Sequence, residues 1–235
     1  MSSQEKTTAL ETRSDDSDSP DEKSKLLMLH NASGQVLRIY PQKGCVSRYH
    51  LVFPTEAKAR TNLPGHFFPH NCTLTYLPNH KLCYIVGGGL PPQLLLPECS
   101  TWKAVYSFSF LDQIKDWSGR TITMNRCKDL KHKRYGHAAC AISFEEVDIQ
   151  KQYLLIAGGA HPEAHKSVEL YWCCTQVKFA LPPLKEARTG GHAAISMKGA
   201  TGQLTRCYVF GGDSIEFLEV DNAWKTSKAA QKEWI

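Results

Sequence analysis

Three histidines stand directly after glycine in this 235-residue chain, in "LPGHFF", "RYGHAAC" and "TGGHAAI", at His66, His137 and His192. Histidine titrates near neutrality and is the commonest metal ligand, so the set invites a metal or acid–base reading. "HFFPHNC" adds His70 and Cys72, side chains that zinc accepts. In an alternating strand, however, His70 and Cys72 share one side, and no second ligand pair at short spacing accompanies them. The adjacent thiols Cys173 and Cys174 in "WCC" read as two reduced cysteines at a strand end, because a vicinal disulfide is strained. There is no nucleophile elbow, Walker loop, paired-carboxylate spacing or HExxH helix. "VGGGLPP" runs into prolines rather than a helix, so no helix dipole would face a phosphate there. No catalytic residue, metal site or cofactor is expected.

The remaining chemistry is charge. "KDLKHKRYGH", residues 128–137, concentrates Lys128, Lys131, Lys133 and Arg134, and "QKGCVSR" carries Lys43 and Arg48. Such runs contact phosphate or serve as nuclear-localisation patches, and a solvated loop is an equally good reading. Residues 1–25 hold seven acids against four bases, which leaves +8 on the remainder of a chain whose net charge is +5. That leading segment is rich in serine, threonine and charge, and is expected to be a disordered tail because burial cannot offset its ordering entropy. The basic remainder favours an anionic neighbour such as nucleic acid. Nine cysteines at irregular spacing, with no export signal, read as a reduced intracellular chain. No apolar run is long enough to span a membrane.

The histidines belong to a larger pattern. Each lies upstream of an apolar run that stops on glycines: "CYIVGGG" at Gly87 and Gly88, "YLLIAGG" at Gly158 and Gly159, "RCYVFGG" at Gly211 and Gly212. The histidine-to-glycine spacings are 21, 21 and 19 residues, and an arginine precedes each histidine, at Arg60, Arg134 and Arg188. After the glycines come "WKAVYSFSFLDQIKDW", "SVELYWCCTQVKFALPPL" and "SIEFLEVDNAW". Period-2 patterning makes each unit four short antiparallel strands, with glycine pairs letting strands crowd together where a Cβ would clash. One histidine per unit then reads as a buried hydrogen-bonding group rather than a ligand. Residues 26–60 supply a further partial unit, followed by 61–130, 131–186 and 187–235. A fourth strand of the last unit begins only at "QKEWI", and insertions are expected in "LPPQLLLPECST" and in 119–133.

Paired glycines after an apolar strand, a downstream aromatic and a tryptophan before the next unit resemble the kelch repeat, in which each repeat is one blade of a β-propeller. The resemblance covers about 66–224 and implies an all-β, partial propeller of three to four four-stranded blades. A narrower likeness follows across residues 34–137. "GQVLRIYPQKGCVSR", "HKLCYIVGG" and "RCKDLKHKRYGH" are similar to the kelch subunits of the V(D)J recombinase, the family of the second recombination-activating protein. The strand before the Gln-Lys-Gly turn is one residue longer here, and Ser47 stands where that family has a second basic residue. The chain also lacks the family's cysteine- and histidine-rich finger.

That resemblance implies a nuclear, non-catalytic accessory subunit that docks on a recombinase or transposase catalytic subunit and meets DNA within that complex. Lys43 and Arg48 would lie near phosphate, and no membrane or small-molecule substrate is implied. The competing reading is a cytoplasmic kelch scaffold or substrate adaptor that binds a protein through loops at one end of the propeller.

Overall fold

The computed structural model describes residues 26–30, 34–40, 45–53, 69–89, 102–110, 121–144, 151–198, 204–211, 214–221 and 233–235. Lys43, His66, Gly212, Arg60 and the expected tail at 1–25 lie outside them, as does "LPPQLLLPECS". The described residues form an all-β molecule of four sheets, each of three or four strands. No helix among them is long and apolar enough to cross a membrane.

The first sheet pairs β1 (Leu26–His30), β2 (Gln35–Tyr40) and β3 (Cys45–Val52) antiparallel. Its fourth strand is β7 (Thr121–Thr123), which runs parallel to β3. The second sheet orders β4 (Thr73–Leu77), β5 (Leu82–Val86), β6 (Val105–Ser109) and β8 (Asn125–Arg126). The third orders β9 (Ala138–Phe144), β10 (Lys151–Ala157), β11 (Val168–Trp172) and β12 (Val177–Leu181). The fourth has β13 (Ala193–Lys198), β14 (Leu204–Gly211) and β15 (Ser214–Asp221). Ile235 exchanges two backbone hydrogen bonds with Phe217 at the outer edge of β15. Trp234 is buried next to it and donates its indole N–H to Pro182 O at 2.8 Å.

Two expectations are corrected here. The stretch 119–133 is not a plain insertion, because β7 and β8 lie inside it and close two different sheets, with Met124 turning the chain between them. The partial unit expected over 26–60 takes its fourth strand from residues 121–123, which the sequence pattern places in the unit 61–130. A two- or three-residue strand is too short to show a period, which is why neither was legible.

The sheets pack face to face in chain order, with one apolar layer at each seam. Val36, Leu51 and Ile122 of the first sheet meet Cys83, Ile85, Tyr106 and Phe108 of the second. Leu77, Tyr84, Val86 and Val105 of the second meet Leu154, Ile156 and Tyr171 of the third. Cys140, Ile142, Leu155 and Leu170 of the third meet Cys207, Val209, Leu218 and Val220 of the fourth. Sheets covered on both sides bury both faces of their strands. Hence β6, whose serines and aromatics alternate, is buried at all five positions. Ser107 there accepts the Cys127 thiol hydrogen, with sulfur and oxygen 3.4 Å apart.

Candidate nucleic-acid interface

The third and fourth sheets are each entered through a loop whose arginine folds back onto its own sheet. Arg134 is fully buried. Its Nη1 donates to Gly158 O at 2.8 Å and Ser167 O at 3.3 Å, and its Nη2 to Ser167 Oγ at 2.7 Å and Glu169 Oε1 at 2.6 Å. Arg188 repeats the set on the fourth sheet, with Gly211 O and Ser214 O on Nη1, and Ser214 Oγ (2.6 Å) and Glu216 Oε1 (3.2 Å) on Nη2. Each guanidinium thus finds a carboxylate and several acceptors, the condition under which a buried charge is tolerated. Sequence reasoning found both arginines and missed their partners. The signal was the shared Ser-Xaa-Glu of "SVEL" and "SIEF".

The backbone of each entry loop plugs into the glycine pair of the preceding sheet. Gly88 N donates to Arg134 O at 2.9 Å, and Gly159 N donates to Arg188 O at 2.8 Å. A Cβ on Gly87 would fall 2.6 Å from Arg134 O, and one on Gly158 would fall 2.9 Å from Arg188 O. Both glycines also sit at positive φ. The expected crowding at the glycines is therefore a contact between successive sheets, and it fixes the seam. The histidines complete it. His137 Nε2 lies 3.0 Å from Thr73 Oγ1 in the second sheet, and His192 Nε2 donates to Ala157 O at 3.0 Å in the third. Burial, then the Arg134 charge and His192, hold the His137 imidazole neutral, well below the ordinary histidine range.

The second sheet departs from this pattern. A Cβ on Gly88 would meet Pro69 and Cys72 of its own entry loop, as one on Gly159 would meet Arg134 and His137. Cys72 therefore holds the histidine position and Pro69 the arginine position, and the equivalence expected for His66 moves six residues along the chain. The reason is length: β4 and β5 have five residues each with a four-residue connection, whereas β9 and β10 have seven each with a six-residue connection. Ala104 and Tyr106 replace Ser167 and Glu169. Gly89 N donates to His70 O at 2.9 Å, as Ala160 N donates to Tyr135 O in the third sheet, and His70 N adds a return bond to Gly89 O at 2.8 Å where the third sheet has its charged pair. Burial pushes the Cys72 thiol up to about 12, so it stays protonated.

The carboxylates of the locks have a second task. Glu169 Oε2 accepts the Lys131 amide at 2.8 Å and Oε1 accepts the His132 amide at 3.3 Å. The Lys128 amide donates to Gln176 Oε1 at 2.8 Å, the Tyr171 hydroxyl donates to Lys128 O at 3.2 Å, and Lys178 Nζ donates to Asp129 O at 2.7 Å. With the Leu130 amide bonded to Lys103 O at 2.8 Å, the basic loop is fastened by its backbone at five residues while the side chains of Lys128 and Lys131 stand exposed and Lys133 is half-buried. Arg48 is exposed on β3, on the face it shares with Val46 and His50.

Among the described residues no three metal-ligating side chains come together. His70 and Cys72 flank Asn71 in the backbone bridge described above. Cys173 is buried, and Cys174 is exposed with its sulfur 3.6 Å from His80 Nε2. Both cysteines are free thiols, as are Cys127, Cys140 and Cys207.

No family model matches the chain, and no curated protein does. Among solved structures it is similar to a fungal alcohol oxidase of the AA5 family in complex with copper, at 13% identity and a TM-score of 0.47 over 80% of this chain and 37% of that one. It is also similar to an auxiliary nutrient-binding protein from Bacteroides thetaiotaomicron, at 10% identity and a TM-score of 0.42 over 79% of this chain and 43% of that one. The chain thus spans less than half the length of either.

Proposed function

We propose that the chain is a kelch-type propeller unit, its sheets acting as blades, and that it serves as a nuclear, non-catalytic accessory subunit of a DNA recombinase or transposase. In this role it docks on the subunit that cuts DNA and lays basic side chains along the sugar–phosphate backbone. The observation that carries the reading is the loop at 128–133. Its backbone is pinned by Glu169, Gln176, Tyr171 and Lys178 while Lys128 and Lys131 stand exposed. A pre-positioned cation loses little entropy on meeting a phosphate, and phosphate contacts position a protein on DNA without reading sequence. The Nη atoms of Arg134 and Arg188, the Nε2 atoms of His137 and His192 and the carboxylates of Glu169 and Glu216 are engaged in sheet-to-sheet and loop-to-sheet bonds. Lys43 and Arg48 are assigned the same phosphate-facing role.

The test is the salt dependence of duplex DNA binding by the full chain with Lys128→Glu and Lys131→Glu together. Each phosphate contact contributes about 0.9 to the slope of log affinity against log salt, so losing two should lower it by roughly 2. An unchanged slope and affinity would overturn the DNA-facing role.

A further inference from the structure

The outer face of the fourth sheet repeats, at four apolar positions, the surface that the second and third sheets offer to their successors, while the Arg206–Glu219 ion pair stands where the third sheet has Tyr153 and Trp172. By strand register, Ile195, Met197, Phe210 and Ile215 correspond to Cys140, Ile142, Ala157 and Val168 of the third sheet. They correspond equally to Thr75, Leu77, Val86 and Val105 of the second. The earlier sets are each no more than 8% exposed, whereas Ile195, Met197, Phe210 and Ile215 are 49%, 56%, 40% and 68% exposed. The socket recurs as well. Gly211 holds the position of Gly158, since Arg188 Nη1 donates to its carbonyl as Arg134 does to that of Gly158. Its φ of +143° differs from the +66° of Gly158, and a Cβ there would meet His192 and Gly191 of its own sheet, as one on Gly159 meets its own entry loop.

What fits such a socket follows from the seams already filled. The second and third sheets carry glycine pairs, and both receive a loop with arginine and, three or four residues on, histidine. The first sheet has "YPQKGC" after β2 instead of a glycine pair, and it receives the second sheet, whose loop carries Pro69 and Cys72. A glycine socket and an arginine–histidine loop therefore go together. We propose that the exposed face of the fourth sheet docks a further β-sheet of this same repeat, from outside residues 1–235, entered through an Arg-(Xaa)2–3-His loop. The arginine carbonyl would lie over Gly211 and apolar strand residues would cover Ile195, Met197, Phe210 and Ile215. A second copy of this chain does not fit, because Asp21–Lys25, ahead of its first strand, contains neither arginine nor histidine. The loops of its third and fourth sheets are already engaged. This inference stands on the sheet geometry and is independent of any contact with DNA.

The test adds a sheet to the full chain by duplicating residues 182–235, or alternatively 128–181, at its C-terminus, and reads oxidation of Met197 by peroxide with mass spectrometry. Protection of Met197 by fivefold or more is expected with either added unit, and it should be lost when the added arginine and histidine become Met and Ala. Three results would overturn the proposal. Met197 could stay as reactive as in the unextended chain with both units. The units lacking arginine and histidine could protect it equally well. The unextended chain could prove dimeric, with Ile195→Lys making it monomeric, so that a second copy already covers the face.

Discussion

The loop that enters the second sheet and the loop that enters the third solve one problem with different chemistry. The second sheet fastens its loop with a backbone bridge between His70 and Gly89, and places Ala104 and Tyr106 where the third has Ser167 and Glu169. The third keeps one bond of that bridge, from Ala160 N to Tyr135 O at 2.9 Å, and adds a buried arginine and carboxylate 2.6 Å apart. Since both loops are held, the charged lock is not required for holding. What it adds is a carboxylate with capacity to spare, and Glu169 applies that capacity to the Lys131 and His132 amides. The fourth sheet does the same, with Glu216 accepting the Lys185 amide at 2.6 Å and the Glu186 amide at 3.3 Å. The comparison teaches that the locks are positioning devices for the segments ahead of them.

Breaking the comparison at the lock should have the largest effect. Arg134→Met leaves Glu169 buried without its counter-charge and should cost about 3–5 kcal/mol, read as a shift in urea unfolding. Adding Glu169→Leu should recover a good part of that loss, since no buried charge then remains unpaired. In the second sheet the converse change, Tyr106→Glu, should be destabilising even with Arg126 beside it, because it removes a buried ring packed edge-on against Phe53.

Next in size is the socket. Gly158→Ala forces a Cβ against Arg188 O at positive φ, and should cost about 1–3 kcal/mol. Gly190→Ala, with nothing within 4 Å, should stay within about 0.5 kcal/mol. Equal costs for the two would remove the close approach as the reason for the glycine pair.

The smallest effect is a pH dependence confined to the histidine-bearing loop. The unfolded chain takes up a proton at His137 near 6.5 while the native state does not. The stability held above that value should therefore fall as pH drops below it, by about 1.4 kcal/mol per pH unit. His137→Gln should flatten this part of the profile, and Cys72→Ser in the second sheet should leave it unaltered.

Much of this architecture was legible in the chain. The glycine pairs, Arg134, Arg188, His137 and His192 recur at spacings set by strand length, so their order survived in the sequence. The equivalence of His66 did not, because shorter strands in the second sheet put Cys72 in that position. Glu169 and Glu216 escaped notice because an acidic residue in a strand looks solvent-exposed until its buried cation is placed. β7 and β8 escaped because pairing between distant segments leaves no local period. The basic loop was visible as charge alone, and the pinning of its backbone is a tertiary fact.

The most direct measurement of the positioning claim is the NMR amide spectrum of two single variants, Glu169→Gln and Glu216→Gln. Amides bonded to a carboxylate are displaced downfield, so Glu169→Gln should move the Lys131 and His132 signals and spare those of Lys185 and Glu186, with the reverse for Glu216→Gln. If Lys131 kept its shift when Glu169 lost its charge, or if both pairs moved together in either variant, the picture of one lock holding one loop would be wrong.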